Sequence, residues 1–200
     1  MIHRDCEKRV RAFRTERRDH EALELVVRTY GSEIGGWLSR ILGSDSATSE
    51  AYSVFLEDLW GGLREFRGES SLRTWLYRVA RNAAMRTLRT NSRYNKRIVS
   101  DSEALDVPAC RSETAPWLRS AVSLELNRII QSLDPEDHMI LILRIDRRMS
   151  WEEISQVVLN ESADARQGSA AHQAAIRQRF GRMRRRLRNL ATRHGLLPKA

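Results

Sequence analysis

The chain has 200 residues, which allow one or two domains. Hydrophobic residues make up 41% of it and charged residues 30%, with only 10 glycines and 4 prolines, so we predict an all-α fold. The formal net charge of +9 indicates a polyanionic partner, most commonly a nucleic acid. A soluble basic protein without such a partner is the alternative that charge alone leaves open.

Several classes of site and location are disfavoured. Cys6 and Cys110 lie far apart without a Cys-x-x-Cys motif or a nearby histidine pair, so neither a disulfide framework, a zinc site nor any other cofactor is expected. A reducing cytoplasm fits this cysteine usage. No apolar run approaches the ~18 residues of a membrane span, so no membrane insertion is expected. The basic segment 1–22 is not a signal peptide, because no apolar stretch follows its charges; it is a helical extension or a disordered tail.

Helical spacing of apolar residues predicts three helices in residues 23–90. The first begins at Leu23 and ends at Gly43. The second presents an apolar face, and the third follows a loop whose Ser70 is the expected N-cap. Three helices with short connections can close one small core. Periodicity then fails in residues 91–116, which are polar and acidic around Ser100–Pro108, so we predict a flexible linker there.

A second helical domain is predicted in residues 117–193, with 194–200 as a tail. Its first apolar stripe is followed by Asp134-Pro135, a strong helix start, and by a capping box from Ser150 to Glu153. Two helices joined by a turn around residues 146–149 and followed by a basic helix have the layout of a helix-turn-helix. The last helix carries apolar residues in a four-three alternation: Ile176, Phe180, Met183, Leu187 and Leu190.

This last helix is the first candidate DNA-binding element. Residues 171–194 hold eight arginines and no acidic residue, which indicates that an external polyanion supplies the counter-charge. Residues at its beginning are expected to face base edges, and later arginines to hold phosphates. The candidates are His172, Gln173, Arg177, Arg179, Arg182, Arg184 and Arg185. A coiled-coil or membrane-surface helix is the alternative.

The third helix of the first domain is the second candidate. Trp75, Tyr77, Arg78, Arg81 and Asn82 crowd one helix, a combination that suits unstacked bases: rings stack, arginines hold phosphates and an amide reads a base edge. The alternative is that Trp75 belongs to the core and the arginines are solvated. For Trp75 alone, the core interpretation is favoured.

Both candidate DNA-binding helices lie in segments that resemble a known family. Phe66–Arg89, with Phe-Arg-Gly-Glu-Ser-Ser and Trp-Leu-Tyr-Arg-Val-Ala-Arg-Asn, resembles region 2 of the extracytoplasmic-function (ECF) sigma factors. Leu133–Leu190 resembles their region 4. The resemblance implies a transcription-initiation subunit that binds core RNA polymerase, reads the −35 element of promoter DNA with region 4 and opens the −10 element with region 2. It also implies an anti-sigma protein as a further partner.

The resemblance assigns two sets of residues in the first domain. The −10 set lies around a base-trapping loop: Phe66, Arg67, Ser70, Trp75, Arg78, Arg81 and Asn82. The polymerase-binding set lies on the second helix: Glu50, Tyr52, Phe55, Leu56, Leu59 and Trp60. The sequence departs from the family at Ser49–Tyr52, where an Asp-Leu-Val-Gln-like stretch is usual, and in the long Asn160–Ala170 turn before the last helix.

Two other function classes are alternatives to this one. A stand-alone helix-turn-helix regulator, whose N-terminal bundle dimerises or senses a signal, would use the same basic helix. An enzyme such as a nuclease is disfavoured, because the sequence has no paired carboxylates at metal spacing, no histidine cluster and no glycine-rich phosphate loop. We therefore predict a protein without catalysis of its own.

Overall fold

The computed structural model describes residues 2–98, 128–158, 170–194 and 196. Within these ranges all regular structure is helical, without a strand, and the chain divides into two compact units, Met1–Cys110 and Arg111–Ala200. The prediction of an all-α protein with two domains is confirmed. Among the described residues no helix is long and apolar enough to cross a membrane, and no cluster of three side chains could hold a metal ion.

The first unit is built from four α-helices and a short 3₁₀ turn within its described residues. They are α1 (Ile2–Thr15), α2 (Asp19–Leu42), α3 (Asp45–Gly62), the 3₁₀ turn η1 (Leu63–Glu65) and α4 (Leu72–Ile98). Helix α3 packs against α2 and α4, and α1 packs against α2. The predicted stop at Gly43 is confirmed: its φ of 66° is left-handed, and its N–H bonds to the carbonyl of Ser39.

Helix α1 resolves the open question about the N-terminal segment. Cys6 and Val10, one turn apart, are buried, and the ring of His3 stacks on Tyr30 of α2 with centroids 5.0 Å apart. Burial raises the pKa of the Cys6 thiol. The segment is therefore a packed helix, and α2 begins at Asp19, before the predicted start at Leu23.

A polar network and an aromatic pair join α4 to α2. Trp37 and Tyr77 are buried with their rings in an edge-on contact at 5.4 Å. The Tyr77 hydroxyl donates a 2.8 Å hydrogen bond to Oε1 of Glu33, and Nε of Arg73 donates another at 3.0 Å. Because these bonds satisfy a half-buried carboxylate, they fix the rotation of α4 on α2.

Both ends of α4 differ from the prediction. Ser71, not Ser70, is the N-cap, because its Oγ accepts the Thr74 N–H at 3.1 Å. The helix extends to Ile98, past the predicted linker start at residue 91, since residues 72–98 contain neither glycine nor proline to stop it. The remainder of the predicted linker lies outside the described residues.

The second unit carries the predicted helix order. Residues 128–131 are helical and are followed by α5 (Pro135–Ile145), α6 (Trp151–Val158) and α7 (Ala170–Arg193). The predicted stripe at residues 118–126 and the long turn, except Ala170, lie outside the described residues. Two predicted starts are confirmed. Asp134 accepts the Glu136 N–H at 3.0 Å, and Ser150 and Glu153 bond reciprocally at 3.2 and 2.7 Å.

Candidate nucleic-acid interface

Helix α7 has an apolar face and an arginine face. Ile176, Phe180 and Met183 are buried, and the ring of Phe180 meets Trp151 of α6 edge-on at 5.2 Å. Seven of the eight arginines are exposed: Arg177, Arg182, Arg184, Arg185, Arg186, Arg188 and Arg193. In the part of the chain that the structure describes, no carboxylate pairs with any of the seven. Their mutual repulsion is therefore relieved by solvent ions or by a polyanion.

Arg179 is the exception on this helix. Its guanidinium bonds to three carboxylates at the beginning of α5: Asp137 at 2.5 Å, Glu136 at 2.6 Å and Asp134 at 3.2 Å. Burial lowers the pKa of this guanidinium, but the bonds to Asp137 and Glu136 outweigh it, so the pKa is raised overall. Arg179 was predicted as a phosphate contact. The structure instead gives it counter-charges within the unit, where it holds α7 against α5.

The first turns of α7 contain the predicted base-reading residues. Arg177 is exposed and Gln173, one turn earlier, is half-buried, so the two share a helix face. His172 is half-buried, and its Nε2 atom is covered without a hydrogen bond to any described residue. Gln173 and Arg177 are therefore better placed for a base edge than His172.

In the first unit, two predicted −10 residues are part of the core. Phe66 and Trp75 are only 6% and 8% exposed, and their rings contact each other at 5.2 Å. This burial, with that of Tyr77, corrects the expectation that the α4 rings stack on unpaired bases, and it places the Phe66 side chain of the loop in the core instead of on its surface. The core interpretation of Trp75 is confirmed.

The remaining predicted −10 residues divide between the surface and the interior. Arg67 and Arg78 are exposed, and Ser70 and Asn82 are half-buried. Arg81 is 4% exposed, and its Nη1 donates a 3.4 Å hydrogen bond to Oδ1 of Asn82. Burial corrects the expectation that Arg81 holds a phosphate. It orients the neighbouring amide, while Arg78 and Asn82, one turn apart, form the accessible face of α4.

Helix α1 contacts η1 and the loop that follows it, which the sequence did not predict. Nη1 and Nη2 of Arg14 each donate a 2.7 Å hydrogen bond, to the carbonyls of Phe66 and Arg64. Arg64 also pairs with Asp19 at 2.8 Å. The spacing of Cys6, Val10 and Phe13 is the one sequence signal that could have indicated a packed α1.

The predicted polymerase-binding residues also divide by exposure. Phe55 and Leu59 are at most 1% exposed and form the core between α3 and its neighbours, which corrects their assignment to a binding surface. Glu50 is exposed, Tyr52 and Leu56 are half-buried, and Trp60 is 41% exposed with its ring 4.9 Å from that of His20. The accessible edge of α3 thus ends in an aromatic pair.

Comparison with known proteins identifies the family. Residues 26–94 match the family model Sigma-70 region 2. Over 139 residues the chain is 30% identical to RNA polymerase sigma factor YlaC of Bacillus subtilis, covering 69% of this chain and 80% of that protein. The chain belongs to the ECF sigma factors of RNA polymerase. The ECF RNA polymerase sigma-E factor of Escherichia coli K12 is 29% identical over 154 residues, covering 72% of this chain and 79% of that relative.

A solved structure of another sigma factor has the same fold as this chain. It is the sigma factor RpoE of Bartonella quintana, crystallised with the anti-sigma factor NepR. The TM-score is 0.59 at 18% identity, covering 86% of this chain and 96% of that one. The sequence-based assignment to the family is confirmed, and the family is one of transcription regulators.

Proposed function

We propose that this sigma factor acts in the cytoplasm, where it binds core RNA polymerase and directs it to promoters without catalysis of its own. The observation that carries this proposal is the pair of separate basic faces. One is the exposed arginine face of α7, and the other comprises the Arg78–Asn82 face of α4 and the exposed Arg67 of the loop Phe66–Ser71, in the same unit. We assign duplex −35 DNA to the first face and the melted −10 strand to the second.

The assignment of duplex DNA to one face and melted DNA to the other follows from the chemistry of each face. Arginines on a long helix neutralise regularly spaced phosphates, while Gln173 and Arg177 can pair bidentately with adenine and guanine. On α4, the amide of Asn82 can hydrogen-bond an exposed base edge, and Arg67 and Arg78 can hold flanking phosphates. Family membership favours this function over a stand-alone helix-turn-helix regulator.

The accessible edge of α3 is our candidate for the polymerase contact. Tyr52, Leu56 and Trp60, at four-residue spacing, lie on it, while Glu50 is exposed on another face of the helix. An exposed tryptophan beside a histidine ring is a suitable anchor for a partner surface. We propose that an anti-sigma protein covers this edge when the factor is idle. The structural neighbour, a sigma factor bound to an anti-sigma factor, supports this part of the proposal.

Run-off transcription with core polymerase and this protein tests the function, and permanganate footprinting tests the strand-opening face. We expect Asn82→Ala to reduce thymine reactivity near the −10 element while leaving closed-complex binding unchanged, because an unstacked base is available only after melting. Asn91→Ala is the matched control, since nine residues along the same helix place Asn91 on the opposite face. Unchanged opening by Asn82→Ala would assign Asn82 a structural role.

A further inference from the structure

Arg14 of α1 binds main-chain atoms of η1 and of the loop that follows it. A guanidinium presents parallel donors, and here both terminal nitrogens are used, on the carbonyls of Arg64 and Phe66, at 2.7 Å each. The guanidinium also lies 5.9 Å from the centre of the Phe66 ring. Both carbonyls lie where regular structure ends, so they need a donor from elsewhere.

One further contact joins α1 to the loop, and another joins η1, just before the loop, to α2. Gly68 has a φ of +76°, and a Cβ built on it would lie 3.3 Å from Nη2 of Arg11, so the Arg11 side chain of α1 reaches this left-handed residue. Arg64 is itself held by Asp19 at the beginning of α2. Helix α1 is anchored independently of the loop through buried Cys6 and Val10. It can therefore act as a fixed support.

We propose that α1 is a positioning element of the strand-opening site and that Arg14 is its positioning residue. Arg14 holds the loop Phe66–Ser71 in the geometry that receives a melted base, so the cost of ordering the loop is met before DNA arrives. This inference rests on the proposed function of the loop. Arg14 itself is not assigned a contact with DNA, because both of its terminal nitrogens are bonded within the protein.

The effect of Arg14 on the loop can be measured in the free, full-length protein by amide hydrogen exchange. We expect exchange at residues 66–70 to be about tenfold faster in Arg14→Ala, because a fork of charge-assisted bonds is lost, and intermediate in Arg14→Lys, which cannot reproduce the fork. Arg9→Ala is the matched control: it removes the same charge from an exposed position of α1 whose guanidinium lies 5.9 Å from the Phe13 ring. Equal loop exchange in Arg14→Ala and wild type would overturn the inference.

The functional arm uses the same variants with core polymerase on a duplex promoter. Arg14→Ala should reduce permanganate-detected opening about tenfold with closed-complex binding unchanged, while Arg9→Ala opens normally. Normal opening by Arg14→Ala, or equal losses in both variants, would overturn the positioning role. If Arg14→Ala fails to fold, Arg14→Lys decides: partial opening supports the role and full opening overturns it. Absence of opening by wild type would count against the proposed function, and the exchange measurement would still test the support.

Discussion

Gln173 and Arg177 lie one turn apart at the beginning of α7, the position from which a recognition helix reads bases. We expect Arg177→Ala or Gln173→Ala to relax the preference at single −35 base pairs, at a cost of about 1–3 kcal/mol on the preferred site. Binding titrations on promoters that differ by one base pair would show this. Arg188→Ala, three turns later, is the control and should weaken all sequences alike. If both test variants keep full discrimination, another face of α7 meets the bases.

Single residues also show what the sequence could not predict. It identified Trp75, Phe66 and Arg81 by chemical type, and a ring or guanidinium on a helix suits either a core or a nucleic acid. The packing of α4 decides which of its sides is covered, and it buries Trp75 and Arg81; Phe66, in the loop before α4, is buried against Trp75. Arg78 is exposed and Asn82 half-buried, so both lie toward the accessible side of α4.

The position of α7 against α5 depends on Arg179, which bonds to Asp134, Glu136 and Asp137. We expect Arg179→Ala to lower the free energy of unfolding by about 1–3 kcal/mol, reduced by the one-third exposure of the side chain, because three carboxylates then crowd without a cation. Urea unfolding of the full chain measures this. Arg186→Ala, an exposed arginine on the same helix, should change the value by less than about 0.5 kcal/mol. Equal effects of the two variants would contradict the proposed role.

The exposed face of α7 makes a separate prediction about salt. Each phosphate contact contributes roughly one unit to the slope of log affinity against log salt concentration, so Arg185→Ala should lower that slope by about one unit and weaken all sequences equally. Binding of promoter and non-promoter duplexes over a salt series gives both quantities. Arg179→Ala serves as the contrast, since an arginine bonded within the protein should leave the slope nearly unchanged. Binding independent of salt would show that α7 does not face DNA.

Elements were predictable where local chemistry dictates them. Asp134-Pro135, the Ser150–Glu153 box and Gly43 define helix ends through short-range bonds that a sequence displays. The sequence alone could not decide whether residues 2–15 form a helix or a charged tail. Their apolar stripe is narrow, and the element that buries it is α2. The predicted C-terminal end of α4 came too early, because the helix continues through polar residues when nothing in the sequence breaks it.

At the scale of the whole molecule, the net charge of +9 is distributed over both units rather than placed in one arm. Each unit has its own buried core, Trp37 and Phe55 in the first and Ile140 and Ile154 in the second. Independent cores are the condition under which two DNA-binding faces can meet separate promoter elements. The sequence predicted this division from the failure of helical periodicity after the first domain.

The two-unit design predicts how the chain is cut by proteases. Because residues 100–111 lack an apolar stripe that could bury them, a broad-specificity protease should cut there first in the free protein and leave two resistant fragments. Mass spectrometry of the early products identifies the cut, and unfolding of each isolated fragment shows whether its core suffices. A polymerase that binds both units should protect the same bonds, whereas duplex −35 DNA, bound only through α7, should not. Resistance of residues 100–111 to the protease in the free protein would contradict the two-unit design and indicate one compact domain.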